Sequence, residues 1–129
     1  MNYLSDYTQS LQKNLFIQLG AFFAFGQAQF EEKRKEGVQY ASLSSGLIVP
    51  KENAEALISG LSEITTKGIA QDLAENGREA IIRRELSNNE CHYIGSIEDC
   101  VYGLKPYGIT REAIQDVYHE MLRNGEVEL

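Results

Sequence analysis

The sequence predicts a helix-rich α+β fold, in which a small antiparallel sheet of about three strands packs against four to six helices. Two observations support this class. Apolar residues recur every three to four positions along most of the chain, which is helical spacing. Short apolar runs in the first half of the chain alternate with turn residues, which is typical of strands. The 129 residues fit one domain of ordinary size, so we expect a single globular domain over residues 1–129.

Three segments are expected to form the sheet: 22–26, 38–43 and 46–50. The first is the aromatic run FFAFG. The second and third flank a Ser-Ser-Gly turn, which predicts a β-hairpin. Pro50 should end the third strand and can occupy the first turn of the helix that follows.

The first two predicted helices flank the first strand. One spans residues 3–19 and ends at Gly20, a plausible left-handed cap. The other is the polar segment QAQFEEKRKEG, which is expected to end at Gly37. The first helix carries one apolar stripe, formed by Leu4, Tyr7, Leu11, Leu15 and Leu19.

A helix that ran without interruption from residue 51 to residue 88 would be about 57 Å long, too long for one domain of this size. We therefore expect a break at 76–77, with Gly68 as the alternative. The apolar face before the break consists of Ala54, Leu57, Leu61 and Ile64, and that after it of Ala80, Ile81, Ile82 and Leu86.

Two further helices are expected near the C-terminus. Ser96 and Asp99 have the spacing of a capping box, so a short helix should begin there. A turn follows at 105–108. Thr110 then caps the last helix, which ends at 124–125. Its predicted inner face consists of Ala113, Ile114, Val117, Met121 and Leu122.

The charge limits the classes of partner. Twelve basic and nineteen acidic residues give a net charge of −7. Such a protein is repelled by phosphate backbones and anionic membranes, so we expect no direct binding of nucleic acid or membrane. A protein with a basic surface is the more natural partner. The N-terminus lacks the pattern of a signal peptide and no apolar run is long enough to span a membrane, which predicts a cytoplasmic protein with reduced thiols.

The stretch RRELSNNECHY, residues 83–93, combines two arginines, two carboxylates, a thiol and an imidazole. Zinc ligands usually come in pairs two to four residues apart, whereas Cys91 and His92 are adjacent and Cys100 follows eight residues later. A nucleophilic Cys100 is disfavoured because the neighbouring Asp99 would raise its pKa. No glycine-rich phosphate loop occurs. We therefore predict no metal, no cofactor and no catalytic residue, and hence a protein that is not an enzyme.

Acidic residues of the last helix and tail are the first candidates for partner binding. Glu112, Asp116 and Glu120 recur every four residues, and Glu126 and Glu128 follow. They could form a continuous negative stripe that attracts a basic partner, although a solvated helix face without function remains open. The aromatic segment around Phe25 and Phe30 is the second candidate, because aromatic residues are enriched at interfaces.

Several segments resemble an uncharacterised family of short acidic proteins of bacteriophages, plasmids and other mobile elements. The first is FFAFGQAQFEE. The second is AIIRRELSNNE, which is similar to the family's E-L-x-N-H-E pattern. The third is SIEDCVYGLKPYGITREAIQDVY, which is similar to the family's succession of a helix, an L-x-x-x-G-[IL]-T motif and a final helix. With the leading NYLSDYTQSLQ, the resemblance covers most of the chain. Asn89 stands where the pattern has histidine, and asparagine cannot titrate near neutral pH. We therefore expect a structural role for this stretch, as a polar helix end with Glu85 and Glu90 near Arg83 or Arg84.

Inhibitors of host defence nucleases are often small, acidic and free of catalytic motifs. By analogy with them, we expect a non-enzymatic protein of a mobile element that binds and modulates a host protein in the bacterial cytoplasm, such as an inhibitor of a host defence system, for example a CRISPR nuclease. Two alternatives remain open. One is an oligomeric protein that sequesters a small, nucleotide-like signal, with Arg83, Arg84 and Tyr93 as ligand-binding residues. The other is an enzyme that uses cysteine or histidine. The sequence does not specify the partner or the oligomeric state, and a homodimer is one option.

Overall fold

The structure is a computed structural model that describes residues 1–127. It confirms the predicted helix-rich α+β class: the described residues form seven α-helices, two 3-10 helices and one three-stranded antiparallel sheet. In chain order the helices and strands are α1 (Leu4–Leu19), β1 (Phe22–Phe23), α2 (Gln27–Lys33), β2 (Tyr40–Ser42), β3 (Leu47–Pro50), a 3-10 helix (Lys51–Asn53), α3 (Ala54–Asn76), α4 (Arg78–Asn88), α5 (Cys91–Ile94), α6 (Glu98–Leu104), a 3-10 helix (Lys105–Tyr107) and α7 (Arg111–Arg123).

The chain divides into two compact units. The N-terminal unit comprises residues 2–68, and the C-terminal unit comprises the residues from Ile69 onward together with Met1. The expectation of a single domain stays a prediction. No helix of the described residues combines the length and the apolar character that crossing a membrane requires.

Helix α1 begins and ends nearly where the sequence predicts, and Gly20 caps it with φ 73°. The predicted apolar stripe is wrong at Leu11, which is exposed, while Thr8 is buried. The reason is a close approach: a Cβ atom on Gly68 would lie 2.5 Å from Cγ2 of Thr8. The two backbones are therefore too near for a large side chain, and the small Thr8 occupies the contact.

The sheet has the strand order β1-β3-β2, and the predicted hairpin is confirmed as the antiparallel pair of β2 and β3. The strands are shorter than predicted. The first ends at Phe23, and Ala24 adds one more backbone hydrogen bond, from its N–H to the carbonyl oxygen of Gly46 at 2.9 Å. At the β1 edge, Lys33 Nζ donates to the carbonyl oxygen of Phe23 at 2.7 Å.

Helix α2 ends at Lys33, so the predicted end at Gly37 is wrong. Arg34 is already extended, with ψ 153°, and the N–H of Lys35 donates to the hydroxyl oxygen of Tyr40 at 2.9 Å. The core of this unit lies under β3 and α3, where Leu47, Val49 and Leu57 are buried.

The predicted helix break at 76–77 is confirmed. Helix α3 ends at Asn76, α4 begins at Arg78, and Gly77 between them has φ 80° and ψ 157°. This conformation is accessible almost only to glycine. The alternative break at Gly68 is wrong, because α3 continues through it.

The C-terminal unit has its own core, to which α4 contributes Ile81, Ile82 and Leu86 and α7 contributes Ile114, Val117 and Met121. The predicted inner face of α7 is wrong at Leu122, which is exposed. Thr110 caps α7 as predicted, since its Oγ1 accepts a hydrogen bond from the N–H of Ala113 at 3.2 Å.

Two local features of the C-terminal unit differ from the predictions. Helix α6 begins one residue later than the capping box implies: Ile97 is the capping residue, and Ser96 Oγ accepts from the N–H of Glu98 at 3.3 Å. The four-residue helix α5 was not predicted, and the 105–108 turn is largely a 3-10 helix.

Candidate functional site

Arg84 is the centre of a buried polar network. Its Nη1 and Nη2 donate to Oδ1 and Oδ2 of Asp72, each at 2.9 Å. The hydroxyl of Tyr107 donates to Asp72 Oδ2 at 2.5 Å, and Asn76 Nδ2 donates to Oδ1 at 2.8 Å. Arg84 and Asp72 are both almost fully buried. The carboxylate thus accepts four hydrogen bonds, which satisfies a charge that would be costly to bury unpaired.

The environment fixes the protonation state of this network. Burial alone would raise the pKa of Asp72, but hydrogen bonds from Arg84, Tyr107 and Asn76 outweigh it and lower that pKa below its ordinary value of 3.8. Burial likewise opposes the charge on Arg84, yet the bonds to Asp72 raise its pKa. Burial and the contact with Asp72 raise the pKa of the Tyr107 hydroxyl. Both ions and the neutral phenol therefore persist near neutral pH.

Arg83 points to a different set of carboxylates. Its guanidinium lies 2.7 Å from Glu126 Oε1 and 3.3 Å from both Glu120 Oε1 and Glu79 Oε1. Two members of the predicted negative stripe, Glu120 and Glu126, are therefore partly neutralised. Glu112 and Asp116 are exposed on α7. Glu128, the last predicted member, lies outside the described residues.

The predicted ligand-binding set is not arranged as a free cationic site. Arg84 is committed to Asp72, and Arg83 is held by three glutamates. Tyr93 is 78% exposed on α5. An anionic ligand would have to displace carboxylates from both guanidinium groups before it could bind them.

The sequence predicted a structural role for the end of α4, which stays a prediction. The side-chain Nδ2 of Asn89 donates to the carbonyl oxygen of Glu85 at 2.8 Å and so caps the helix. Glu85 Oε1 lies 3.5 Å from Arg84, as expected. Among the described residues, Glu90 forms no ion pair with either arginine; its backbone is left-handed, with φ 52°, and the residue is exposed.

Both thiols are free and buried. Burial raises the pKa of Cys91, and burial with the neighbouring Cys91 raises that of Cys100 to about 12. A thiol in this state is neutral and a poor nucleophile at neutral pH. Within residues 1–127, no three His, Cys, Asp or Glu side chains are grouped closely enough to hold a metal ion.

His92 is held in one orientation. Its ring stacks on that of Tyr118, with centroids 4.1 Å apart and planes 2° apart. Its Nε2 lies 3.0 Å from the carbonyl oxygen of Tyr118. Because a carbonyl oxygen only accepts, Nε2 carries the proton and donates to it.

The C-terminal unit contains a groove of about 300 Å³ beside His92. Residues from the last turns of α4 and α7, from α5 and from the segment after α7 line it: Leu86, Ser87, Glu90, His92, Tyr93, Met121, Glu126 and Val127. The sequence did not predict this groove. The adjacency of polar and aromatic residues in ECHY was the one signal in the sequence that pointed toward it.

The N-terminal unit has its own aromatic surface and groove. Phe25 is 73% exposed, and its ring stacks on Phe23 with centroids 6.1 Å apart. Phe30 is half-buried against Phe22 and Tyr40. A groove of about 500 Å³ is lined mainly by the end of α1, by aromatic rings and by two lysines; they include Phe16, Ile17, Phe22, Lys33, Lys35 and Tyr40.

Negative charge is concentrated in the second half of the chain. Residues 69–129 carry twelve acidic and six basic side chains, whereas residues 2–68 carry seven and six. The same half exposes three large apolar side chains on the consecutive helices α5 and α6: Tyr93, Ile94 (59% exposed) and Tyr102 (83% exposed).

Comparison with known proteins identifies a family. A family model matches residues 4–126, and its description is a family of unknown function (DUF7659). No curated protein and no solved structure shows significant similarity to the chain. Because the match spans nearly the whole sequence, the protein belongs to this family of unknown function.

Proposed function

We propose that the protein is a non-enzymatic interaction protein of a phage or related mobile element, which binds and modulates a host protein in the bacterial cytoplasm. The observation that carries the proposal is the exposure of Tyr93, Ile94 and Tyr102 in the half of the chain that has twelve acidic and six basic residues. The partner is a protein with a basic surface.

Exposed aromatic side chains favour protein binding as the activity. Tyrosine supplies a large contact area with few rotatable bonds, and it is enriched among the residues that dominate binding free energy. Ile94 lies between two such residues along the chain. The exposed acids in the same half of the chain, including Glu112 and Asp116, would raise the association rate with a basic partner.

The state of the polar groups supports a non-enzymatic role. Arg84 and Asp72 bind each other, and Cys91 and Cys100 are protonated and buried. An enzyme needs at least one nucleophile or base that can reach a substrate. Three of the side chains that the sequence singled out, Arg84, Cys91 and Cys100, are instead buried in the fold.

The sharpest form of the proposal is an inhibitor of a host defence nuclease, such as a CRISPR nuclease. Enzymes that bind nucleic acid carry basic grooves, because phosphate contacts supply most of their affinity. An acidic protein with exposed aromatic anchors is complementary to such a groove. This form rests on the resemblance to proteins of mobile elements and on the charge.

The proposal can be tested by affinity enrichment of host proteins from bacterial lysate with matched variants of the protein. The tagged wild type is compared with the Tyr93→Ala, Tyr102→Ala double variant and with Phe25→Ala as a control for an exposed aromatic residue in the N-terminal unit. We expect a host protein that is enriched by the wild type and by the control, lost with the double variant, and reduced at high salt. The purified host protein should then bind directly, and its activity should change on binding. A partner that binds the double variant as well as the wild type would contradict the proposal.

One observation favours a second function, the sequestration of a small nucleotide-like ligand by an oligomer. The groove of the N-terminal unit combines Phe22 and Tyr40 with Lys33 and Lys35, and these groups could stack on a base and pair with a phosphate. A rise in melting temperature with a nucleotide, lost in Lys35→Ala, would support this function. No rise with any of a panel of mono-, di- and cyclic nucleotides would argue against it.

A further inference from the structure

We infer that the groove at the ends of α4 and α7 binds one basic side chain, foremost an arginine, of the partner protein. The inference rests on the proposed function and deepens it, since it names the site that anchors the partner. The groove has a volume of about 300 Å³, at the lower end for ligand-binding pockets, which suits a single side chain rather than a large cofactor.

The floor of the groove is apolar. Its apolar surface comes from the half-buried Val127 and from Met121, which is 7% exposed, whereas Leu86 is fully buried and offers little surface to a ligand. The methylene groups of an arginine or lysine side chain can cover such a surface while the charged end stays near water. A bare carboxylate or phosphate ligand would gain nothing from this floor.

The rim of the groove is negative. Glu90 is exposed, and no Lys, Arg or His of residues 1–127 lies within ion-pair distance of it. Glu126 also lines the groove, although it shares its charge with Arg83 at 2.7 Å. Glu90 is therefore the carboxylate that is available to a cation from outside.

The end of helix α4 adds to this negative potential. Leu86 and Ser87 belong to its last turn, which contains no basic residue. The C-terminal end of a helix carries a partial negative charge. Met121 belongs to the last turn of α7, where Arg123 offsets the charge of that helix end. The groove is thus unfavourable for an anion and favourable for a cation.

The aromatic wall distinguishes arginine from lysine. Tyr93 is exposed and lines the groove together with His92, whose ring stacks on Tyr118. A planar guanidinium can stack on a tyrosine ring and also bind a carboxylate through two N–H groups, whereas an ammonium does only part of this. An arginine in the partner therefore fits better than a lysine.

A model peptide tests the inference without any knowledge of the partner. The probe is acetyl-Gly-Arg-Gly-amide, and its control is the same peptide with citrulline, which has nearly the same shape but no charge. Binding to the full chain is followed by amide NMR shifts. We expect saturable shifts confined to residues 86–93 and 121–127, and clearly weaker binding of the citrulline peptide. The Glu90→Gln variant should weaken arginine binding about two- to fivefold, as for an exposed ion pair, and Glu112→Gln should leave it unchanged.

The outcomes separate this inference from the proposed function. Equal binding of both peptides, shifts elsewhere in the chain, or unchanged affinity in Glu90→Gln would overturn the arginine site. A host protein captured through Tyr93 and Tyr102 would still stand in that case. The opposite result is also informative. If the arginine peptide binds in the groove but the double variant still captures the same host proteins as the wild type, the arginine site stands and the proposed function is contradicted.

Discussion

The guanidinium of Arg84 and the carboxylate of Asp72 form a bidentate pair, with Nη1 2.9 Å from Oδ1 and Nη2 2.9 Å from Oδ2. The pair joins α4 to the last part of α3 across the break at Gly77. Both side chains are almost fully buried, so each charge depends on the other. An exposed pair of the same bidentate form, Arg111 with Glu98, occurs in the same unit and provides an internal comparison.

Removing Arg84 should destabilise the protein strongly. The Arg84→Met variant leaves Asp72 buried and without its counter-ion, which typically costs about 3–5 kcal/mol in the free energy of unfolding. Arg111→Met should lower the free energy of unfolding far less, because its pair with Glu98 is solvated. Urea denaturation of both variants provides the measurement. If both variants lost the same free energy of unfolding, burial of the Arg84–Asp72 pair would make no difference to stability.

Stability should fall in acid partly through Asp72. Its folded-state pKa is lowered, so its contribution is complete above the unfolded value of about 3.8 and is lost as the pH falls through the lower folded value. Below about pH 4, the free energy of unfolding should fall more steeply in the wild type than in Asp72→Asn, by up to about 1.4 kcal/mol per pH unit. Asp116→Asn, at an exposed position, serves as the control and should keep the wild-type slope. Parallel slopes for the wild type and Asp72→Asn would contradict the prediction.

Two glycines should respond in opposite directions to alanine. A Cβ atom on either Gly77 or Gly103 would meet no atom within 4 Å, so space does not decide the outcome. Gly77→Ala should cost about 1–3 kcal/mol, because φ 80° with ψ 157° is accessible almost only to glycine. Gly103 lies inside α6, so Gly103→Ala should stabilise the protein by up to about 1 kcal/mol. Thermal unfolding of both variants gives the comparison, and two changes of the same sign would refute it.

The thiols should resist labelling in the native protein. Burial raises the pKa of Cys91 and that of Cys100, the latter to about 12, so little thiolate is present at pH 8 and neither sulfur is accessible. A disulfide reagent should therefore react slowly with the native protein in buffer. In denaturant, the same reagent should label two thiols per chain. The Tyr102→Cys variant places a thiol at an exposed position and should react at once. Rapid labelling of the native wild type would mean that the C-terminal core opens easily. Addition of reductant should not change the melting temperature.

Charge reversal on α7 should slow association with the partner that enrichment identifies. Glu112→Lys with Asp116→Lys should lower the association rate by about tenfold at low salt and much less at high salt. Glu120 is better left intact, because it also binds Arg83. Reversal of Glu36 and Glu55, two exposed acids of the N-terminal unit, is the matched control. Stopped-flow kinetics at two salt concentrations would give the rates. If both pairs slow association equally, net charge rather than the α7 face controls the rate.

Features encoded over a few residues were predictable. The break at Gly77 followed from the length of the apolar pattern, and the cap at Thr110 from local chemistry. Positions decided by distant neighbours were not. Leu11 belongs to the apolar stripe of α1 by spacing, yet the approach of Gly68 buries Thr8 instead.

The candidate site was the least predictable part, for the same reason. Asp72 lies 12 residues before Arg84, and Tyr107 lies 35 residues after Asp72, so no short motif records the network. Arg84 consequently looked like a free ligand for anions. The groove around Glu90 is likewise assembled from segments more than 25 residues apart, namely 86–93 and 121–127.

The contact between Lys33 and Phe23 has a consequence for how the protein avoids self-association. The unpaired carbonyl groups of an edge strand can accept hydrogen bonds from a strand of another molecule, and repeated pairing of this kind leads to fibrils. Here the ammonium of Lys33 occupies the outward carbonyl oxygen of Phe23, beside an exposed stacked pair of aromatic rings. One lysine thus covers part of the edge of this aromatic strand. Its replacement by a neutral residue would expose both the backbone and the rings to like molecules at high concentration.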